Sequence, residues 1–239
     1  MNWETFKDKL HPSWHAKMKP FIESAECDDM YAFLKKESKR GKKIAPQSIN
    51  VWRCFQETPL NEVKAVLVGM CPYHTFKNDA PVADGLLMGC SITEQVQPTL
   101  QQFYRGIEKE LYNGLNLNMK ESADVTYLAH QGVLMLNAAL TTEKDKAGSH
   151  LALWEPFMKF LFENIINDLG VPIVFLGKEA SKLIKYTGIF AHVFEISHPA
   201  SASYKGTDWD TEGTFNKINQ IVWETNRDTI MWLDCDPPF

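Results

Sequence analysis

The sequence predicts an α/β protein of three layers, in which helices cover both faces of a central, mainly parallel, four-stranded sheet. Four short apolar runs are spread along the chain, and the segments that separate them are longer and have helical composition. This alternation is typical of parallel sheets, whose strands are buried on both faces. No linker-like or low-complexity segment interrupts the chain, so we expect a single domain over residues 1–239.

The first predicted strand, VKAVLVG at 63–69, is apolar up to Val68, and Gly69 and Pro72 then force a turn. Three similar runs follow, namely GVLMLNA at 132–138, PIVFLGK at 172–178 and HVFEIS at 192–197. Segments of helical composition lie at 98–112, 154–169 and 177–186. An N-terminal helical region at about 3–40 and a C-terminal helix at 211–226 are expected to pack around the sheet.

Composition excludes several classes of protein. The net charge of −5 argues against a protein that grips nucleic acid over its whole surface. The chain has no run of eighteen apolar residues, and its start lacks the basic and then apolar layout of a signal peptide. We therefore expect a soluble, intracellular protein, without membrane contact and active as a monomer.

Cofactor and metal motifs are missing from the sequence. The five cysteines form no C-x-x-C pair, which disfavours disulfide, zinc-ribbon and iron–sulfur frameworks; they are at positions 27, 54, 71, 90 and 235. No histidine pairs with a carboxylate or thiol at metal-ligand spacing, and no phosphate-binding glycine motif is present. The prediction is a protein with no cofactor and no metal.

One segment, LKKESKRGKK at 34–43, is strongly basic, with five lysines and one arginine. Such a run is most often the solvated end of a helix, here stopped by Gly41. The alternative is a patch that contacts phosphates. The segment alone does not decide between them.

Polar residues follow three of the four predicted strands. The first strand leads into Cys71, Tyr73 and His74, the second ends at Asn137, and the fourth leads into His198. Each could have a purely structural role, but the carboxyl ends of parallel strands are where α/β sheets bind ligands. An asparagine side chain presents an acceptor beside its donors, which matches the pairing edge of uracil or thymine.

These segments resemble the family 1 uracil-DNA glycosylases. GMCPYH at 69–74 is similar to the water-activating motif G-Q-D-P-Y-H of that family, and SHPASAS at 197–203 stands where the family has its leucine loop, H-P-S-P-L-S. Four more segments between them match in order: ADGLLMGCS at 83–91, QPTLQQFYRGIEKEL at 97–111, LAHQGVLMLNAALTT at 128–142 and AGSHLALWEPF at 147–157.

The resemblance implies an enzyme that flips deoxyuridine out of DNA and hydrolyses its N-glycosidic bond. Asn137 would then bind the N3 and O4 edge of uracil, and His198 would hydrogen-bond O2, where negative charge gathers on the leaving base. Tyr73 would exclude the thymine methyl group. Backbone N–H groups near Met70 and Met88 would supply further hydrogen bonds.

The chain departs from the family pattern at the centre of the chemistry. Cys71 replaces the aspartate that positions water, and a thiol with a pKa of about 8.5 is mostly neutral at pH 7. Met88 replaces the aromatic ring on which the base stacks. We therefore predict that the chain keeps the residues that recognise the base and lacks the group that activates water.

The predicted contacts with DNA also depart from the pattern. Ala202 replaces the leucine that fills the vacated stack, and it is too short to act as a wedge. Ala200 removes one phosphate-contacting serine, whereas Ser203 retains another and Thr99 replaces a third; Ser201 lies in the same loop.

Three functions fit this pattern. The protein is a slow or retuned glycosylase that acts on single- or double-stranded DNA containing uracil. Alternatively, it is a catalytically silent relative that binds DNA or a replication or repair protein. In the third interpretation Cys71 is a nucleophile, which would require a lowered pKa.

Overall fold

The computed structural model describes residues 3–112, 121–189, 191–226 and 228–234. Its strands are β1 (Ile44–Ala45), β2 (Ala65–Gly69), β3 (Phe76–Lys77), β4 (Ala80–Pro81), β5 (Val133–Asn137), β6 (Thr142–Glu143), β7 (Ile173–Leu176) and β8 (Val193–Ile196). Its helices are α1 (Trp3–Phe6), α2 (His15–Ile22), α3 (Ala25–Lys39), α4 (Arg53–Glu57), α5 (Pro98–Leu111), α6 (Thr126–His130), α7 (Leu151–Asn164), α8 (Lys178–Ser181), α9 (Pro199–Lys205) and α10 (Thr214–Asn226).

The central sheet has four strands in the order β5-β2-β7-β8, and every pairing within it is parallel. The register pairs Ala65 with Val133 at one end of β2 and Gly69 with Asn137 at the other. β2 and β5 are buried along their whole length, as expected for strands covered on both faces. The predicted three-layer α/β fold is confirmed.

Two predicted helices are shorter than their segments. The segment 154–169 corresponds to α7, which begins earlier at Leu151, ends at Asn164 and is followed by a 3₁₀ turn at Ile166–Leu169. The segment 177–186 holds only the four-residue α8 and then a tighter 3₁₀ turn. Amino-acid composition does not distinguish an α-helix from a 3₁₀ turn, and short 3₁₀ turns are frequent at the ends of α-helices.

Two small antiparallel pairs escaped prediction because two-residue strands leave no periodic pattern. β3 pairs with β4 in the loop after β2. β1 pairs with β6, which joins the end of the basic segment 34–43 to the loop that follows β5.

The basic segment is partly neutralised within the protein. α3 ends at Lys39, and the next residue, Arg40, pairs with Glu37 at 2.8 Å. Lys42 pairs with Glu143 at 2.6 Å between Nζ and Oε1. Lys43 pairs with Asp79. These ion pairs favour the solvated helix end over the phosphate-contacting patch.

The apolar core is one continuous cluster that extends from both faces of the sheet into the N-terminal helices. Its aromatic centre is Trp52, whose ring meets those of Phe6, Phe55, Trp154 and Phe157 at centroid distances of 4.9 to 5.8 Å. Mostly edge-to-face contacts of this kind add to the stability gained by burial.

Four of the five cysteines, Cys27, Cys54, Cys71 and Cys90, are described and are free thiols. Cys235 lies outside the described residues. None of the described helices is both long enough and apolar enough to cross a membrane.

The segment between β4 and α5 is organised by a buried carboxylate. Asp84 has no exposed surface and accepts hydrogen bonds from the backbone N–H groups of Leu86 and Ser91, both at 3.1 Å. Its Oδ2 also accepts from the Ser91 hydroxyl at 2.6 Å and lies 2.9 Å from Nη1 of Arg53. The residues around Met88 are therefore anchored to α4.

The buried pair of Asp84 and Arg53 should contribute strongly to stability. Arg53→Ala leaves Asp84 buried without its cationic partner, so we expect the free energy of unfolding to fall by about 3–5 kcal/mol. Urea denaturation measures the change. Lys109→Ala is the matched control. The side chains of Lys109 and Asp208 are 72% and 78% exposed, so their ion pair should contribute less than about 1 kcal/mol to the free energy of unfolding. Equal losses in the two variants would contradict the assignment.

Candidate active site

A cavity of about 370 Å³ lies at the carboxyl edge of the sheet. Its wall comes from the turn after β2, the segment around Met88, the first turn of α5, the loop after β6, the start of α8 and both ends of α9. A hollow of 620 Å³ elsewhere is lined by α2, α3 and α7, with no contribution from a strand end. We therefore place the site in the smaller cavity, where the predicted polar residues converge.

The turn after β2 is held by the segments that follow β5. The N–H of Ala139 donates to the carbonyl of Met70 at 3.0 Å, and the N–H of Asp145 donates to the carbonyl of His74 at 3.0 Å. Met70 and His74 both line the cavity. Because backbone hydrogen bonds fix both ends of the turn, the backbone that carries the side chains between them is held in place.

Cys71 lies in the cavity wall and is half-buried. Its Sγ accepts a hydrogen bond from the N–H of Gly148 at 3.2 Å. Burial raises the pKa of the Cys71 thiol, so the group is neutral at pH 7. A nucleophilic cysteine needs a lowered pKa, and the nucleophile interpretation is therefore disfavoured.

Tyr73 and Thr99 face the same cavity. Burial raises the pKa of Tyr73, and its phenolic oxygen, although close to Thr99, is buried without a hydrogen bond of normal geometry. The Nδ1 atom of His74 is likewise buried and unpaired. Unpaired buried polar atoms are costly, and around a cavity they mark positions that a polar ligand or water would satisfy.

Asn137 is at the predicted strand end but is not among the residues that line the cavity, and its binding of the base stays a prediction. Its side chain is buried, and its Oδ1 has no hydrogen-bond partner among the described residues. A Cβ at position 69 would overlap Leu87 and lie 3.3 Å from Oδ1 of Asn137, so Gly69 allows both side chains to approach the strand end. Leu87 does line the cavity.

His198 is the N-cap of α9 and lines the cavity. Its Nδ1 accepts a hydrogen bond from the N–H of Ala200 at 3.1 Å. Since a backbone N–H can only donate, the proton of the neutral ring is on Nε2. Burial lowers the pKa of His198 to about 4, which keeps the ring neutral at pH 7. His198 thus offers a neutral N–H donor.

Met88 has a backbone φ of 59°, a left-handed conformation that few side chains adopt, and it is buried in the cavity wall. The hydrogen bonds of Asp84 hold the segment in this shape. Met88 thus lies in the wall of the cavity, and its role as an apolar cover stays a prediction.

The predicted DNA-contacting residues of α9 separate into two groups. Ser201 lines the cavity, and its hydroxyl donates to the carbonyl of His198 at 2.8 Å. Ala202 is buried in the core, at 5% exposure, and Ser203 is half-buried; neither lines the cavity. Because α9 turns Ala202 inward, this residue presents little surface to a ligand, and its contact with DNA stays a prediction.

Sequence reasoning missed several residues of the cavity wall: Leu87, Ala147, Lys178, Glu179 and Tyr204. A usable signal existed for Lys178 and Glu179, which follow β7 directly, because the carboxyl end of this strand must reach the same edge as the others. Tyr204 had no such signal, since its position depends on how α9 packs.

The described residues contain no group of three or more His, Cys, Asp or Glu side chains placed to hold a metal ion. Apart from the charged side chains of Lys178 and Glu179, the cavity offers neutral donors and acceptors on an apolar wall. Such a site suits a small, flat, polar ligand.

The chain is similar to known proteins over most of its length. The family model described as "Uracil DNA glycosylase superfamily" matches residues 55–223. A uracil-DNA glycosylase of Streptococcus pneumoniae (strain Hungary19A-6) is 33% identical over 227 residues, which cover 93% of this chain and 99% of the relative. A uracil-DNA glycosylase of Pseudomonas aeruginosa (strain UCBPP-PA14) is 31% identical over 229 residues, 94% of each chain.

The fold is also similar to that of a solved structure. The crystal structure of mimivirus uracil-DNA glycosylase superposes with a TM-score of 0.82 at 21% identity, covering 97% of this chain and 89% of that one. The strand-end motifs, the family model and the relatives agree. The chain belongs to the uracil-DNA glycosylase superfamily.

Proposed function

We propose that this protein excises uracil from DNA by hydrolysing the N-glycosidic bond of a flipped deoxyuridine, at a reduced rate. The observation that carries the proposal is His198, a neutral N–H donor fixed by its bond from Ala200 in a cavity at the carboxyl edge of the sheet. A donor at this place stabilises the negative charge that uracil acquires as it leaves.

Selection of the base rests on two further residues. Tyr73 would stand beside C5 of the pyrimidine, where its ring excludes a methyl group. The unpaired Oδ1 of Asn137 would accept from N3–H, which would relieve the cost of its burial. For this contact the Leu87 side chain, which stands close to Asn137 at Gly69, would have to move aside.

The reduced rate follows from Cys71. Glycosidic cleavage develops positive charge on the sugar, and a carboxylate at this position would both stabilise that charge and position the water. A neutral thiol does neither well, because it carries no charge and accepts hydrogen bonds poorly. Losing one such group typically costs about 10²–10³ in rate.

The neutral thiol also supports a second candidate function. A site that recognises uracil but lacks its anionic group would bind uracil-containing DNA without cleaving it and would serve to recruit a replication or repair protein. In either case we propose that residues 1–239 act as one domain, since the described core is a single continuous cluster. We also propose that the chain acts as a monomer.

An excision assay distinguishes the two functions. Single- and double-stranded oligonucleotides containing one uracil are incubated with the protein, and abasic sites are detected by alkaline cleavage. We expect cleavage that scales with protein concentration and falls by about 10²-fold or more in His198→Ala. Uracil-dependent binding without cleavage would establish the silent function. Neither binding nor cleavage would contradict both.

The pH dependence of excision tests the state of His198. Because the pKa of this ring is lowered to about 4, the neutral form should persist from pH 8 to pH 5, and the single-turnover excision rate should show no inflection near pH 6.5. An inflection there, absent from His198→Gln, would contradict the assignment.

Stability provides an independent readout of the same group. An unfolded histidine has a pKa of about 6.5. Between this value and about 4, the unfolded chain binds a proton that the folded chain does not, so this residue lowers the free energy of unfolding as the pH falls. His198→Gln should lose less stability than the parent between pH 7 and pH 5.

Restoring the carboxylate tests the role of Cys71. In Cys71→Asp the N–H of Gly148, which now donates to Sγ, would donate to the new carboxylate and favour its charged form. We expect uracil excision to rise by about 10²-fold, equivalent to about 3 kcal/mol of transition-state stabilisation, with little change in DNA affinity. Cys71→Asn is the uncharged control of the same shape. A Cys71→Asp protein that binds DNA yet cleaves no faster than the parent would contradict the explanation.

A further inference from the structure

We propose that Tyr204 enters the duplex beside the flipped nucleotide and stacks in the space that the base leaves. This inference rests on the proposed function and deepens it, since it concerns how the same site opens double-stranded DNA. Tyr204 is 89% exposed, although it lies on the wall of the cavity.

Tyr204 stands apart from the other exposed large hydrophobic residues of the described chain. These are Phe33, Ile49, Ile92, Ile189, Trp223 and Met231. None of them lines the cavity. A single exposed apolar side chain is ordinary on a protein surface. An exposed aromatic ring at the mouth of a site that must extract a base is where a stacking residue is needed.

The short helix α9 fixes the ring relative to the imidazole of His198. His198 is the N-cap of this helix and Tyr204 lies in its last turn, about 9 Å further along the helix axis at 1.5 Å per residue. Ala202 and Pro199 are buried and anchor the helix in the protein. The indole N–H of Trp209 donates to the carbonyl of Ser197 at 2.8 Å and secures the segment before it.

The charge near the ring is suited to DNA, since Lys178 lines the cavity and Lys205 follows Tyr204 directly in the chain. Lys178 and Lys205 are both exposed, and neither forms an ion pair within the described residues, whereas Glu179 is paired with Lys182 at 2.7 Å. Two free ammonium groups near the ring would contact the phosphates on either side of a nucleotide that has left the stack.

The energetics favour a role in duplex DNA specifically. Extracting a base from a duplex loses its stacking and its pairing. An aromatic side chain recovers part of this cost by stacking on the neighbouring bases. In a single strand no opposing base keeps the gap open, and the gain is smaller. The inward orientation of Ala202 leaves Tyr204 as the exposed aromatic side chain of α9 that lines the cavity.

The test compares Tyr204→Ala with Tyr204→Phe, which keeps the ring, and with Trp223→Ala, which removes an aromatic that is 51% exposed away from the cavity. Excision is measured on matched single-stranded and duplex oligonucleotides. Binding is measured to the same sequences carrying 2′-fluoro-2′-deoxyuridine, which resists hydrolysis, so that the readout does not require turnover. Thermal unfolding verifies that each variant folds.

We expect Tyr204→Ala to weaken duplex binding, and duplex excision where the parent cleaves, by about 10-fold or more. Single-stranded values should change less than about 3-fold, and both controls should match the parent. Equal losses on the two forms of DNA, or none on the duplex, would overturn the proposal while the proposed function stands. A parent without any uracil-dependent binding or excision would overturn both.

Discussion

The parallel pairing of β2 with β5 is the constraint on which the site depends. Its register aligns Gly69 with Asn137, so the first turn and the amide emerge at one edge of the sheet. The N–H of Ala138 donates to the carbonyl of Gly69 at 2.8 Å and continues the pairing past the last ladder position. β7 and β8 add Gly177 and His198 at the same edge. A slip of one residue would turn Asn137 to the other face of the sheet.

Among the described residues, no carboxylate without an ion-pair partner lines the cavity. Glu179, in the wall, is paired with Lys182, and the buried Asp84 that shapes the segment around Met88 is paired with Arg53. Burial keeps the Cys71 thiol and the His198 ring neutral. The cavity is therefore equipped to hold a neutral, hydrogen-bonding ring, and it is poorly equipped to stabilise a cation.

α9 links the cavity to its surroundings. Its first residues set the tautomer of His198 through the N–H of Ala200, and its buried Ala202 attaches the helix to the core. Gly177 permits this arrangement, because a Cβ there would lie 3.0 Å from Cβ of His198. The outward-facing Tyr204 is consequently carried on a firm support. α9 therefore positions the imidazole of His198, and its orientation turns Ala202 to the core and Tyr204 to the solvent.

The sequence by itself determined the four strands, their parallel arrangement in a three-layer fold, the family, and the strand ends that carry Cys71, Asn137 and His198. It did so because buried strands are continuous apolar runs and because turn residues and strand-end motifs are local patterns. Only the tertiary structure decided which of these side chains reach the cavity. Asn137 lies outside the wall, Ala202 faces the core, and Tyr204 faces the solvent at the rim. The direction of a side chain on a short helix depends on contacts with residues far away in the chain, and no local pattern records them.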